Sequence, residues 1–204
     1  MYVNMNEPFV SRKTLDDMPE EKKQYKKTKR KKVLFEILFY GLIFFLIIYL
    51  VPVHLAERIV IQGKSMEPTL YDNESVLIEK VSVSANSLER YDIIVFRHKD
   101  PSIKDYVVKR IIGLPGETVQ IISGSIYING VKIADSYAKD HIMTNAGNAS
   151  EPLLLNAGEY FVLGDNREIS SDSRSSQIGI VNYSQIVGVV KAVIWPLKNF
   201  RFVD

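Results

Sequence analysis

Ser65 is a candidate nucleophile for acyl transfer. It lies in the segment GKSMEPTL, residues 63–70, after the apolar pair Val60 and Ile61 and just before a proline-containing turn. Such a position would expose the hydroxyl on a supported backbone. Serine attacks a carbonyl group only when a nearby base takes its proton. Because most serines are solvated turn residues or caps, Ser65 needs a partner to support a catalytic role.

Lysine is a better candidate base than histidine in this sequence. His54 abuts a long apolar segment, His98 precedes a charged turn and His141 lies in a polar stretch. By contrast, Lys109 interrupts the apolar run at 106–112. An ordinary lysine, with a pKa of about 10.4, is neutral in only about one molecule in a few thousand at pH 7. Burial can lower a lysine pKa by about 3 to 5 units, which would make Lys109 a useful base.

Two features leave the assignment open on the residues alone. Strand alternation allows either Lys109 or Arg110 to face solvent, so Lys109 could be an ordinary surface residue. The third polar segment, GDNREISSDSR at 164–174, follows a predicted strand and is by composition a loop rich in Asx and Ser turns. A catalytic site therefore requires that the fold bring these separate segments together.

The elements that must position these residues are mainly β-strands. Short runs rich in Val, Ile, Tyr and Phe recur between turn signals, including Ser123-Gly124, Asn129-Gly130 and a turn at 114–116. The polar stretch 132–152 has little periodicity and is predicted to be a loop or small excursion. After residue 53 only helices of a turn or two are expected, for example at 182–185. The predicted strands are Ser75–Glu79, 93–98, 106–114, Thr118–Ile122, Ser125–Ile128, 160–163 and Ile186–Trp195.

Residues 33–53 form an apolar run that predicts a transmembrane anchor. The run has 21 residues and a single charge, Glu36. A helix of that length spans about 31 Å, close to the roughly 30 Å of a hydrocarbon core. A buried core helix or a cleaved signal would also be apolar, but the run lacks a convincing small-x-small site after it. We therefore expect an uncleaved span.

The charge distribution predicts the orientation of that span. Residues 1–32 carry ten Lys or Arg, eight of them between Lys22 and Lys32, whereas the twenty residues after the run hold only Arg58 and Lys64. By the positive-inside rule, residues 1–32 form a cytoplasmic tail. Residues 54–204 then form one extracytoplasmic domain, in which about 119–158 comprise a hairpin and the polar excursion.

Composition excludes several function classes. The chain has no cysteine, so disulfides, thiolate metal sites and thiol nucleophiles are ruled out. The formal net charge is only +2, and no aromatic stacking groups accompany the basic run, so no nucleic-acid partner is expected.

Four segments in order resemble the sequence boxes of the type I signal peptidases, in their short Gram-positive form. They are residues 63–70, 91–96, 108–117 and 164–174, and they follow an N-terminal apolar run as in that family. The resemblance covers about residues 33–196. It implies an all-β catalytic domain of the signal-peptidase/LexA-like type and a Ser/Lys serine endopeptidase of exported precursors.

The resemblance also implies a role for individual residues. Ser65 would be the nucleophile and Lys109 the general base, with Ser170 supplying a hydroxyl that orients the lysine amine. The Ser65 N–H would donate to the oxyanion, while Gly63 stands where some members place a serine as second donor. Asp172 and Arg174 would form a structural ion pair that holds the 164–174 loop.

Substrate and partners follow from the same resemblance. The precursor would bind as an extended strand beside residues 61–63 and 105–108, and shallow pockets would select small residues at −1 and −3 of the cut. The expected partners are signal-peptide-bearing precursors, the lipid bilayer and a nearby secretion translocon, and no metal or cofactor is expected. The expected substrate-binding residues are Ile61, Gly63, Val107 and Val108.

Two alternative functions are compatible with parts of this pattern. A self-cleaving cytoplasmic regulator of related fold would need a DNA-binding helical region where this chain has its apolar run. A catalytically inactive, anchored signal-peptide-binding paralogue would be expected to lose Ser65 or Lys109, yet both are present.

Overall fold

The computed structural model describes residues 20–84, 87–100, 106–138 and 143–203. Part of the predicted tail, residues 1–19, and part of the predicted excursion, residues 139–142, lie outside the described residues. The chain divides into two compact units, with the boundary between Leu50 and Val51. The second unit contains all the strands that the structure describes.

Helix α1, Glu20–Leu55, is longer than the predicted span because it also includes the lysine-rich run. Its apolar residues from Val33 to Ile48 leave large side chains exposed on all sides. In the described part of the chain, no helix is both long enough and apolar enough to cross a membrane. The anchor predicted at 33–53 stays a prediction.

The second unit is mainly β, as predicted. A single-turn helix α2 (Val81–Ser84) and 3₁₀ turns connect the strands, and the turn at Tyr183–Gln185 fits the predicted short helix there. The strands are β1 (Ala56–Val60), β2 (Ser75–Glu79), β3 (Ile93–Arg97), β4 (Tyr106–Gly113), β5 (Thr118–Ile122), β6 (Ser125–Ile128), β7 (Val131–Lys132), β8 (Leu153–Leu154), β9 (Glu159–Leu163), β10 (Val181–Asn182), β11 (Ile186–Trp195) and β12 (Arg201–Phe202).

Eight strands form the larger sheet. Its order is β1-β2-β11-β3-β4-β9-β10, and β12 pairs with one end of β11. All pairs in this sheet are antiparallel. Strand β4 is therefore internal, between β3 and β9, and Lys109 lies opposite Ile94 of β3. In this order β4 is next to β9, so its side chains lie close to the loop after β9, whereas three strands separate β4 from β1.

The smaller sheet has the order β7-β6-β5-β8. The predicted turns connect its strands, and Ser123, Gly124, Asn129 and Gly130 all have positive φ, from 47° to 78°. These values are typical of the two-residue hairpin turns that match strand twist. Among its described residues, the polar stretch 132–152 contains a short 3₁₀ turn, Gly147–Ala149, and irregular segments.

Candidate active site

The serine-bearing turn, residues 64–70, connects β1 to β2 and is anchored by apolar side chains. Met66 is 1% exposed and Leu70 is fully buried, and both pack with Ile61, Val76 and Val95 beneath the turn. The Leu70 N–H donates to the Met66 carbonyl at 2.9 Å. Ser65 is thus presented by a compact turn whose apolar residues are fixed in the core.

Lys109 reaches the serine from the middle of β4. Its Nζ donates to Ser65 Oγ at 2.7 Å and to the Val108 carbonyl at 2.9 Å, and the residue is only 4% exposed. Burial lowers the pKa of Lys109 from 10.5 to about 8, although the negative charges of Asp172 and Asp165 act in the opposite direction. A useful fraction of this amine is therefore neutral at pH values slightly above neutrality.

The neighbouring Arg110 is also buried, so neither residue of the pair faces solvent. Its guanidinium makes two hydrogen bonds to Asp165, at 2.8 and 2.9 Å, and both side chains are fully buried. Arg110 also donates to the Tyr91 carbonyl at 2.8 Å and lies 3.8 Å from the ring centroid of Tyr137. Arg110 is thus paired with a buried carboxylate, whereas the Lys109 amine donates to a hydroxyl and a carbonyl.

The loop after β9 holds the serine turn from the opposite side. The Asn166 N–H donates to the Ser65 carbonyl at 3.0 Å, and its side-chain amide donates to the Lys64 carbonyl at 3.2 Å. Gly164 packs so closely that a Cβ there would lie 2.5 Å from the Ser65 carbonyl oxygen and 2.2 Å from Ser170 Oγ. Only glycine fits this approach without displacing the turn.

Asp172 and Arg174 form the expected ion pair and tie the loop to itself. Arg174 donates to both carboxylate oxygens of Asp172, at 2.8 and 2.9 Å, and to the Arg167 carbonyl at 2.6 Å. Asp172 also accepts from the Gly164 N–H at 3.1 Å. The buried Arg167 is paired in turn with Asp135 of the polar stretch. These contacts fix the loop that supports Ser65.

Ser170 Oγ is buried and has no hydrogen-bond partner among the described residues. The structure therefore brings Ser170 to the site, against Gly164, but does not bond it to Lys109. A buried hydroxyl without a partner costs about 1 to 3 kcal/mol. Its burial next to the serine turn is thus an unusual feature that a structural role alone does not explain.

A cleft of about 390 Å³ opens directly onto Ser65 and Lys109. Three of the expected substrate-binding residues, Ile61, Val107 and Val108, line it. Gly63 is not among the lining residues, and its N–H instead donates to Asp72 at 2.7 Å. Asp105, at the start of the expected binding strand, lies outside the described residues. Gln62 and Tyr106, which fall within the expected ranges 61–63 and 105–108, also line the cleft, and the lining residues outside the expected site are Ile59, Val60 and Met66.

Several supporting residues were also missed. Thr69 donates to Asp165 at 2.5 Å and accepts from Arg110 at 3.3 Å, which connects the serine turn to the buried ion pair. The only local signals were an arginine inside an apolar strand and an aspartate directly after one. Their pairing joins residues 55 positions apart, and nothing in the local sequence specifies it.

Comparison with known proteins identifies the family of this chain. The family model described as signal peptidase, peptidase S26, matches residues 34–195. Signal peptidase I of Bacillus licheniformis is 31% identical over 185 residues, which cover 88% of this chain and 98% of that protein. Signal peptidase IB of Staphylococcus aureus is 33% identical and covers 84% of this chain and 95% of its own.

A solved signal peptidase I from Enterococcus faecalis is 37% identical, with 50% of this chain and 95% of that chain covered and a TM-score of 0.42. Signal peptidase I P of Bacillus subtilis is 34% identical over 75% of this chain and 84% of that protein. The family model matches most of the chain, and the relatives named above are all signal peptidases. This chain belongs to the signal peptidase I family of serine peptidases, peptidase S26.

Proposed function

We propose that this chain removes signal peptides from exported precursor proteins through an acyl-enzyme formed on Ser65. The observation that carries the proposal is the 2.7 Å contact between Lys109 Nζ and Ser65 Oγ, made by a buried lysine at the end of an open cleft. This distance lies within the range required of a nucleophile and its base. The substrate class, precursors that carry a signal peptide, is inferred from the name of the relatives, signal peptidase.

In the proposed reaction, Ser65 Oγ attacks the scissile carbonyl carbon while neutral Lys109 takes the hydroxyl proton. The resulting ammonium passes that proton to the leaving amine as the peptide bond breaks. Water, deprotonated by the same lysine, then attacks the ester, and Ser65 is regenerated. Each step requires Lys109 to alternate between its two protonation states, which a pKa of about 8 allows near neutral pH.

The Ser65 N–H is the proposed oxyanion donor. It has no hydrogen-bond partner in the described part of the chain, so it is available to a developing negative charge. The Gly63 N–H is bonded to Asp72, so a second donor at that position would require this bond to break. One well-placed donor contributes about 3 to 4 kcal/mol to transition-state stabilisation.

We assign Ser170 the role of orienting the Lys109 amine during turnover. Its hydroxyl is buried next to the serine turn and has no other partner among the described residues, so it can bond the amine once the amine leaves Ser65 Oγ. Asp172 and Arg174 support the reaction indirectly, because they hold the loop that contacts Ser65.

The proposed substrate lies in the cleft as an extended strand between residues 59–62 and 106–109. Backbone pairing would supply affinity, and alternate side chains would enter pockets between Ile61, Val107 and Val108. Such pockets between aliphatic side chains favour small residues, which fits the expected preference for small residues at −1 and −3 of the cut.

A membrane location is part of the same proposal, with the N-terminus inside and residues 54–204 outside. The basic run before the apolar segment and the exposed apolar side chains of α1 support it. Protease digestion of intact and opened right-side-out vesicles tests the orientation. Digestion of residues 54–204 only after the vesicles are opened, or release of the chain by alkaline washing, would contradict it.

The proteolytic function is tested with the full chain purified in detergent and a signal-peptide-bearing precursor. Mass spectrometry should locate one cut after a small residue, and Ser65→Ala and Lys109→Ala should each abolish it. Lys132→Ala, which changes an exposed lysine on β7, is the matched control and should cleave normally. Cleavage by purified Ser65→Ala would refute the proposal. The inactive-paralogue alternative has no support from the comparisons.

A further inference from the structure

The serine turn has a second attachment point that the proposed mechanism does not use. Glu74 begins the approach to β2 and is only 2% exposed. Its carboxylate accepts hydrogen bonds from the Tyr71 N–H at 3.0 Å, from the Asn199 side chain at 3.0 Å and from Arg201 at 2.7 and 2.9 Å. Four donors thus converge on one buried carboxylate.

The charge state of Glu74 follows from these contacts. Burial alone would raise the pKa of Glu74, but the hydrogen bonds from Arg201, Tyr71 and Asn199 outweigh it and hold the pKa below its ordinary value. Glu74 is therefore ionised at neutral pH, and the ion pair is intact under the conditions in which the proposed reaction runs.

Arg201 connects this carboxylate directly to the serine turn. One terminal nitrogen of its guanidinium donates both to Glu74 and, at 2.7 Å, to the Thr69 carbonyl. The Thr69 hydroxyl is bonded on its other side to Asp165 and Arg110. Thr69 therefore connects two ion pairs, and the turn is held at Thr69 as well as at Ser65, where Asn166 binds the carbonyl.

We infer that Arg201 of β12, together with Glu74, is a positioning residue for Ser65: it fixes the far end of the serine turn and so sets the distance from Ser65 Oγ to Lys109. The inference rests on the proposed function, because it concerns the geometry of the same catalytic dyad, Ser65 and Lys109. Neither residue lines the cleft, so neither contacts the bound substrate. An error of about 1 Å in nucleophile placement can cost about 100-fold in rate.

The test compares Arg201→Gln with Lys198→Gln in the cleavage of a precursor peptide. Lys198 is exposed, lies three residues away in the same segment and makes no hydrogen bond among the described residues, so it matches the charge change without the contacts. Arg201→Gln should lower kcat by about tenfold to hundredfold, with KM within about twofold. Lys198→Gln should keep both values.

Arg201→Lys provides a second test, because a purely structural role would not change kcat per folded molecule. Lysine retains the charge beside Glu74 but cannot bond both carboxylate oxygens and the Thr69 carbonyl in the fork geometry of arginine. Its kcat should lie between those of wild type and Arg201→Gln. All rates are normalised to the folded fraction, measured well below the unfolding temperature.

The outcomes separate the two ideas. If wild type cleaves and both Arg201 variants retain its kcat per folded molecule, the positioning role is wrong while the proposed function stands. A fall in thermal stability without a fall in normalised kcat would likewise rule out the positioning role. If wild type and Lys198→Gln both fail to cleave the precursor, the proposed function fails, and the positioning role that depends on it fails with it.

Discussion

Replacing Lys109 with methionine should abolish catalysis while it stabilises the protein near neutral pH. Because burial lowers the pKa of Lys109 from 10.5 to about 8, its charged form is disfavoured in the folded protein. At pH 7 this corresponds to about 3 kcal/mol of lost folding free energy. Between pH 8 and 10.5 the unfolded chain binds more protons than the folded one, so wild-type stability should rise with pH in that window.

The two effects of the substitution can be compared in magnitude. Methionine removes the folding free-energy cost of the buried Lys109 ammonium. This cost is about 3 kcal/mol at pH 7 and about 1 kcal/mol at pH 10. Methionine also removes the hydrogen bonds to Ser65 and to the Val108 carbonyl. Each of these hydrogen bonds contributes about 1 kcal/mol to the free energy of unfolding, and their loss has nearly the same effect at both pH values. Lys109→Met should therefore be about 1 kcal/mol more stable than wild type at pH 7 and about 1 kcal/mol less stable at pH 10.

Urea unfolding of the full chain in detergent measures this difference. Trp195, the only tryptophan, lies on β11 in the β unit and reports its unfolding by fluorescence. The control is Lys132→Met at an exposed position on β7, where the change should stay within about 0.5 kcal/mol at both pH values. If the stability difference between Lys109→Met and wild type were the same at pH 7 and pH 10, Lys109 would titrate normally and the reasoning would be refuted.

Three further predictions concern the dyad and its loop. The kcat/KM of wild type should rise about tenfold between pH 7 and pH 9, because the neutral fraction of Lys109 rises from about 9% to about 91%. A flat pH profile of kcat/KM over this range would contradict the assignment of Lys109 as the base. Gly164→Ala should lower both kcat and the urea midpoint, with a loss of about 1 to 3 kcal/mol in the free energy of unfolding, because its Cβ would lie 2.5 Å from the Ser65 carbonyl oxygen. Gly41→Ala, with open space around it, is the control and should change neither value. Ser170→Ala should lower kcat by about tenfold or more without loss of unfolding free energy, because its hydroxyl makes no bond in the resting protein, and unchanged kcat would remove its orienting role.

The longer strands could be predicted because their sequences carry the signal locally. Strands β2, β5, β6 and β11 have the predicted limits, since each is a run of β-branched and apolar residues between turn residues. Strand β1 was not predicted because its five residues include Glu57 and Arg58, which break the apolar pattern. Four two-residue strands, β7, β8, β10 and β12, exist through pairing with longer strands, and no local pattern of two residues can reveal this.

The sequence motifs of the candidate site could be predicted, but the contacts that hold those motifs in place could not. Alternation could not decide between Lys109 and Arg110, because that rule assumes one solvated face, whereas both residues are buried where β4 lies between β3 and β9. Glu74 and Arg201 are 127 positions apart, so their pairing follows from the sheet and not from the local sequence. The roles of Ser65 and Lys109 remain predictions until the variants are measured.

The contact between Asp135 and Arg167 limits how the polar stretch could be re-engineered. Within the described residues, the smaller sheet supplies no side chain to the dyad or to the cleft, so its exposed hairpin tip at Asn129-Gly130 is a suitable place to graft a reporter peptide. Asp135 is different, because a graft that removed it would leave the guanidinium of Arg167 buried without a carboxylate. Redesign therefore has freedom at the tip between β6 and β7, whereas the polar stretch must keep an acidic side chain at position 135.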